Sequence, residues 1–159
     1  MSGGGAPDIV VDPAHSSSLR IGIVVAKWHQ DLMRALLVGA QRGCHDAQTD
    51  HVTIVEVPGA FELPVATARM ARSGQFDALV VLGLVLRGST PHFEYVCQGA
   101  TIGIINVATE TGIPVGFGLL TCDTEQQAFE RSGLPGSSED KGYEAAVAAI
   151  TTALVLRGY

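Results

Sequence analysis

The run Ala78-Leu79-Val80-Val81-Leu82-Gly83-Leu84-Val85-Leu86, bracketed by Asp77 and Arg87, constrains this chain most. It is too short to cross a membrane as a helix. Its β-branched content and length predict a strand over residues 77–86. No polar residue interrupts it, so neither face meets water, and a strand covered on both faces belongs to a parallel sheet flanked by helices. The rest of the chain supplies such partners. Arg20–Ala26 (RIGIVVA) predicts a buried strand, and residues 31–45 an amphipathic helix through Leu32, Met33, Leu36, Leu37 and Ala40. His51–Val57 alternates as a strand, and residues 63–72 read as a helix with Pro64 in its first turn. Residues 91–111 predict a long helix, with Thr90 as its N-cap and Pro91 at its first position. Residues 113–120 predict the fourth strand. Thr124-Glu125-Gln126-Gln127 has a capping-box pattern opening a short helix through Arg131. After the break Gly133-Leu134-Pro135-Gly136, an alanine-rich helix runs over residues 139–156.

Strands alternating with helices imply βαβ units. The expected fold is therefore a three-layer αβα sandwich, a four-stranded parallel sheet of flavodoxin-like type with helices on both faces. No internal repeat or domain boundary divides residues 19–159. Residues 1–18 read as a flexible or partner-bound arm, in which Ile9-Val10-Val11 could add a strand to a neighbouring sheet.

Of the 159 residues, 47% are hydrophobic and only 16% charged, well below the usual quarter. The helix over 91–111 is apolar on more than one stripe (Phe93, Val96, Cys97, Ala100, Ile104, Ile105, Val107), as is the stretch 145–156. Such helices are buried on more than one side, and in a chain this small the second side points to homo-oligomerisation. Lys+Arg number 10 against Asp+Glu 16, a net charge of −6 with no basic stripe, which argues against nucleic acid as a partner. Cys44, Cys97 and Cys122 have no CxxC pairing, and the start Met1-Ser2-Gly3-Gly4-Gly5 has no basic or apolar leader pattern. A reducing cytoplasm is expected, with no membrane partner.

Candidate chemistry gathers where strands end. Gly88-Ser89-Thr90 links a strand to a helix, so its amides and hydroxyls could cradle phosphate, or could simply form a connecting loop. His92, on the first helical turn, could transfer protons near neutral pH, or could be an ordinary helix-start histidine. Trp28 follows the first strand and could stack on a flat ring or pack half-buried. Gly59-Ala60-Phe61-Glu62-Leu63-Pro64 follows the second strand. There Glu62 could accept bonds from hydroxyls or merely favour a helix start. Arg131 could clamp phosphate with its planar fork, while Lys141 beside Glu139-Asp140 could be a solvated ion pair. There is no Walker A, GxGxxG or Gly-x-Ser-x-Gly pattern. Cys122 has no histidine near it in sequence, and the histidines lack metal spacing, so no metal is expected.

Taken together, these motifs resemble the 6,7-dimethyl-8-ribityllumazine synthase family over residues 20–157. The likeness rests on Trp28, on Gly-Ala-Phe-Glu-Leu-Pro, and on Val-Leu-Arg-Gly-Ser-Thr-Pro-His-Phe-Glu-Tyr-Val. It continues in Gly-Leu-Leu-Thr with Gln127-Ala128, in Arg131-Ser132-Gly133, and in Asp140-Lys141-Gly142. The resemblance implies a cofactor-free condensation of a ribitylaminouracil with a four-carbon ketose-like phosphate. It implies proton transfer by His92 and phosphate binding by Ser89, Thr90 and Arg131. Trp28 would stack on the pyrimidine, with Ala60, Phe61 and Glu62 binding it and Glu62 on the ribityl hydroxyls. Leu84, Val85 and Leu86 would line the ring, and Phe117 and Lys141 would complete the site. It further implies a site shared between neighbouring subunits, with Phe117, Arg131 and Lys141 coming from the neighbour. A pentamer is the preferred assembly and a sixty-subunit shell the alternative. The rival reading is a flavodoxin-like module that binds a flavin or nucleotide without catalysis.

Overall fold

The computed structural model describes residues 16–159; the pairing expected of residues 9–11 lies outside them. Nine named elements follow one another. They are β1 (Arg20–Ala26), α1 (Gln30–Asp46), β2 (His51–Val57), α2 (Leu63–Ala71), β3 (Ala78–Leu86), α3 (His92–Thr111), β4 (Val115–Cys122), α4 (Glu125–Phe129) and α5 (Lys141–Leu156). A single 3-10 turn, Ala60–Glu62, lies between β2 and α2. The four strands form one parallel sheet in the order β2-β1-β3-β4.

The apolar run behaves as its composition demands. Ala78, Val80, Leu82 and Leu84 join Ile21, Ile23 and Val25 in a core closed by α1 and α5. Leu79 and Val81 point the other way, with Val24, into a second core closed by α2 and α3. Successive side chains of a strand face opposite sides, so β3 needs apolar residues throughout because both sides carry helices. That is the three-layer flavodoxin-like arrangement.

The helices sit close because small residues meet. A Cβ on Gly142 would stand 2.0 Å from the Leu36 carbonyl oxygen, and one on Gly116 would stand 2.0 Å from that of Ala145. Neither obstacle is a flexible side chain that could swing away. Gly142→Ala should therefore destabilise the protein by roughly 1–3 kcal/mol through overpacking. This reverses the gain of up to ~1 kcal/mol that alanine normally brings to a helix, and a urea midpoint measures it.

Boundaries differ from expectation at the caps. Thr90 supplies no side-chain cap: α3 starts at His92, after Pro91 in helical geometry (φ −63°). The proline's fixed φ sets the turn without help from the hydroxyl. Asp140 caps α5 by accepting from Tyr143 N at 2.8 Å, so that helix starts at Lys141 rather than at residue 139. Thr124 does cap α4, accepting from Gln127 N at 3.2 Å, while the Gln127 side chain reaches back to Asp123 N at 2.8 Å. That helix ends at Phe129, leaving Arg131 in the turn beyond it. Ser16 is buried and donates to the Ala47 carbonyl, which ties the chain to the body ahead of β1.

Candidate active site

The chain moves from β1 outward to β2, then returns past β1 to β3. This leaves a topological switch point between β1 and β3, and ligands of open parallel sheets bind outside the strand ends at such a point. Trp28 emerges there after β1, 69% exposed. The next residue, His29, takes the left-handed conformation (φ 60°, ψ 58°) as the chain turns into α1. Few non-glycine residues adopt it, histidine among the more tolerant.

From β2 the 3-10 turn brings Ala60, Phe61 and Glu62 to the same edge. Glu62 and Trp28 flank Gly59: a Cβ there would lie 3.2 Å from Glu62 Oε2 and 3.6 Å from Trp28 Cδ1. Phe61 leans on Gly99 of α3, close enough that a Cβ would meet its ring at 3.2 Å, yet the ring remains 64% exposed. From β3 come Leu84, buried, and Val85 and Leu86, half-buried. The loop then passes through exposed Gly88, Ser89 and Thr90 to exposed His92. A Cβ on Gly88 would meet nothing within 4 Å. One edge thus holds an aromatic platform, a carboxylate, hydroxyls with helix-start amides, and an imidazole. All of them stand on an open surface.

The other three expected residues lie on the β4 side. Phe117 pairs with Val81 in mid-strand and sits in an apolar groove of about 280 Å³ with Ile104 and Ile105 of α3. Arg131 donates from Nη1 to the Gln127 carbonyl at 2.8 Å and has no carboxylate partner among the described residues. Its own carbonyl accepts from Lys141 N at 3.0 Å, and Gly133 N donates to the Glu139 carbonyl at 3.0 Å, so a short antiparallel bridge sets Arg131 beside Lys141. Lys141 Nζ lies 2.7 Å from both Glu139 and Glu144. Burial works to lower its pKa, but the bonds to the two carboxylates outweigh that and hold the ammonium above the usual lysine value.

Two further groups were not singled out from the sequence. Arg42 of α1 pairs with Asp140 at 2.6 Å, which fixes the root of the turn carrying Lys141. Arg87 bonds Asp123 and Glu94 together. Its place directly after a buried strand, inside the motif Val-Leu-Arg-Gly-Ser-Thr-Pro-His, could have drawn attention to it. Cys122 is buried and its thiol pushed up by burial, in keeping with an inert cysteine.

A sequence profile described as 6,7-dimethyl-8-ribityllumazine synthase matches residues 18–157. The chain belongs to that family. A relative so named from Pseudarthrobacter chlorophenolicus is 59% identical, the match covering 100% of this chain and 99% of that protein. One from Kocuria rhizophila is 57% identical over 100% of both chains. One from Streptomyces coelicolor is 52% identical, covering 99% of this chain and 96% of its own. The match to the 6,7-dimethyl-8-ribityllumazine synthase family takes in every strand and every residue of the edge described above. Among the described residues no helix is long and apolar enough to cross a membrane, and no cluster of ligating side chains could hold a metal ion.

Proposed function

We propose that this chain condenses 5-amino-6-(D-ribitylamino)uracil with 3,4-dihydroxy-2-butanone 4-phosphate to 6,7-dimethyl-8-ribityllumazine, releasing phosphate and water. This is the penultimate step of riboflavin biosynthesis, carried out without a cofactor in the cytoplasm. Family membership over residues 18–157 carries the reading, and the contents of the switch-point edge accord with it.

The amine of the pyrimidine attacks the ketone to form a Schiff base with loss of water. Phosphate is eliminated, and ring closure with loss of a second water gives the lumazine. Trp28 stacks on the pyrimidine, Ala60 and Phe61 hold it, and Leu84, Val85 and Leu86 line the ring, while Glu62 accepts from the ribityl hydroxyls. Ser89 and Thr90 receive phosphate at the start of α3, where free amides favour an anion. His92 moves protons beside them. Holding two substrates in register removes a large entropic share of the barrier, so few groups with acid–base chemistry are needed.

The body 19–159 is one catalytic unit that assembles with copies of itself, a pentamer being the preferred form. The half-exposed Phe117, Ile102 and Ile105 make the β4–α3 side suited to contact with a second copy. There Phe117, Arg131 and Lys141 would complete the neighbour's edge. Mixing the protein with both substrates should produce lumazine absorbance that disappears when either substrate is omitted. Absence of product from active substrates would sink the reading in favour of a binding module.

A further inference from the structure

Ser89 and Thr90 are exposed, Gly88 stands in open space, and no side chain caps the helix that follows. Pro91's fixed φ sets the last turn of the loop, but among the described residues no hydrogen bond within the loop holds residues 88–90 in a phosphate-binding shape. At its root, however, stands Arg87. Its backbone N donates to the Cys122 carbonyl at 3.0 Å, extending the β3–β4 ladder by one bond. From there Nε reaches Asp123 beyond β4, Nη1 reaches Glu94 in the first turn of α3, and the guanidinium lies 4.1 Å from the Phe93 ring centroid. One planar group therefore touches both walls between which the loop runs. Arginine suits this work, since its fork bonds two carboxylates while its face stacks on a ring.

We propose that Arg87 is a positioning residue for the phosphate loop, fixing residues 88–91 between the end of β4 and the first turn of α3. This rests on the phosphate role assigned above to Ser89 and Thr90. Arg87 is not itself the phosphate's cation. With Asp123 and Glu94 it forms a group of charge +1 − 2 = −1, which on charge alone repels phosphate. Both carboxylates hold the guanidinium firmly protonated, and the Arg87 bond holds Glu94 below the usual carboxylate range.

That charge count gives the test its sign. Glu94→Gln and Asp123→Asn each remove a negative charge near the loop while keeping shape. If Arg87 or the local charge acts directly on phosphate, both variants bind it more tightly. If geometry governs, both bind it more weakly. The experiment titrates inorganic phosphate into the full chain and its variants by calorimetry, alongside steady-state kinetics with both substrates. We expect each variant to bind phosphate about tenfold more weakly, equivalent to roughly 1.4 kcal/mol. The KM for the phosphate-bearing substrate should rise in step, with kcat and the pyrimidine KM nearly unchanged. Both carboxylates are exposed, so these variants carry the test even where Arg87→Ala disturbs folding. Phosphate binding that is unchanged or tighter in the two variants overturns the positioning role while leaving the proposed activity intact. A wild-type chain that binds no phosphate overturns the phosphate role of Ser89 and Thr90, and this inference with it.

Discussion

Alanine in place of His92 is expected to lower kcat by about 10²-fold, within the usual contribution of one positioned acid–base group. The imidazole stands on the first residue of α3, exposed at the edge where Ser89 and Thr90 also lie. Of the other titratable groups that follow strand ends there, Lys27 pairs with Glu56, His29 turns the chain into α1, and Glu62 lies beside Trp28 and Gly59, nearer the expected polyol. On the proposed assignment, proton transfers in Schiff-base formation and elimination fall to His92, the imidazole beside Ser89 and Thr90. The variant should still hold both substrates, because the platform, the carboxylate and the phosphate loop are untouched, so KM values should stay within about threefold. Its remaining rate should exceed the reaction in free solution, since juxtaposing two substrates contributes independently of the imidazole. Steady-state kinetics decide the matter. Unchanged turnover would remove His92 as an acid–base group, while a rise in KM alone would recast it as a binding residue.

How much could be read from the sequence follows from what each feature needs. The β3 run was legible because an apolar run of strand length with β-branched residues fits a strand covered on both sides, and Leu79 and Val80 do enter different cores. The switch-point edge was legible because Trp28, Glu62 and His92 each follow a strand end in sequence, and in a parallel sheet all strand ends that open onto helices lie on one side. Caps were less so. A threonine before a proline predicts a cap, but the proline's fixed φ already turns the chain, and Thr90 makes no such bond. Arg87 was hidden for another reason. Glu94 lies only seven residues on, across the loop, but Asp123 is joined to it only because β3 and β4 lie side by side, and no spacing in one dimension encodes that pairing. Arg131 and Lys141 are joined the same way, through the bridge between residues 132 and 140.

Arg131→Ala should raise the KM for the phosphate-bearing substrate by about 10- to 100-fold, as expected for loss of charge-assisted bonds worth roughly 1.5–3 kcal/mol. Lys141 cannot take over, because Glu139 and Glu144 already engage its ammonium, whereas Arg131 has no carboxylate partner among the described residues. The same variant also tests whether the site is shared. If Arg131 serves a neighbour's edge, chains carrying only His92→Ala and chains carrying only Arg131→Ala are each defective at every site in their own assemblies. Co-expressed, they place an intact His92 opposite an intact Arg131 at about a quarter of the contacts in a randomly mixed ring. Activity should then recover to about a quarter of wild type under limiting phosphate-bearing substrate, well above the average of the two variants. A site contained within one chain predicts no recovery, since each chain keeps its own lesion whatever surrounds it.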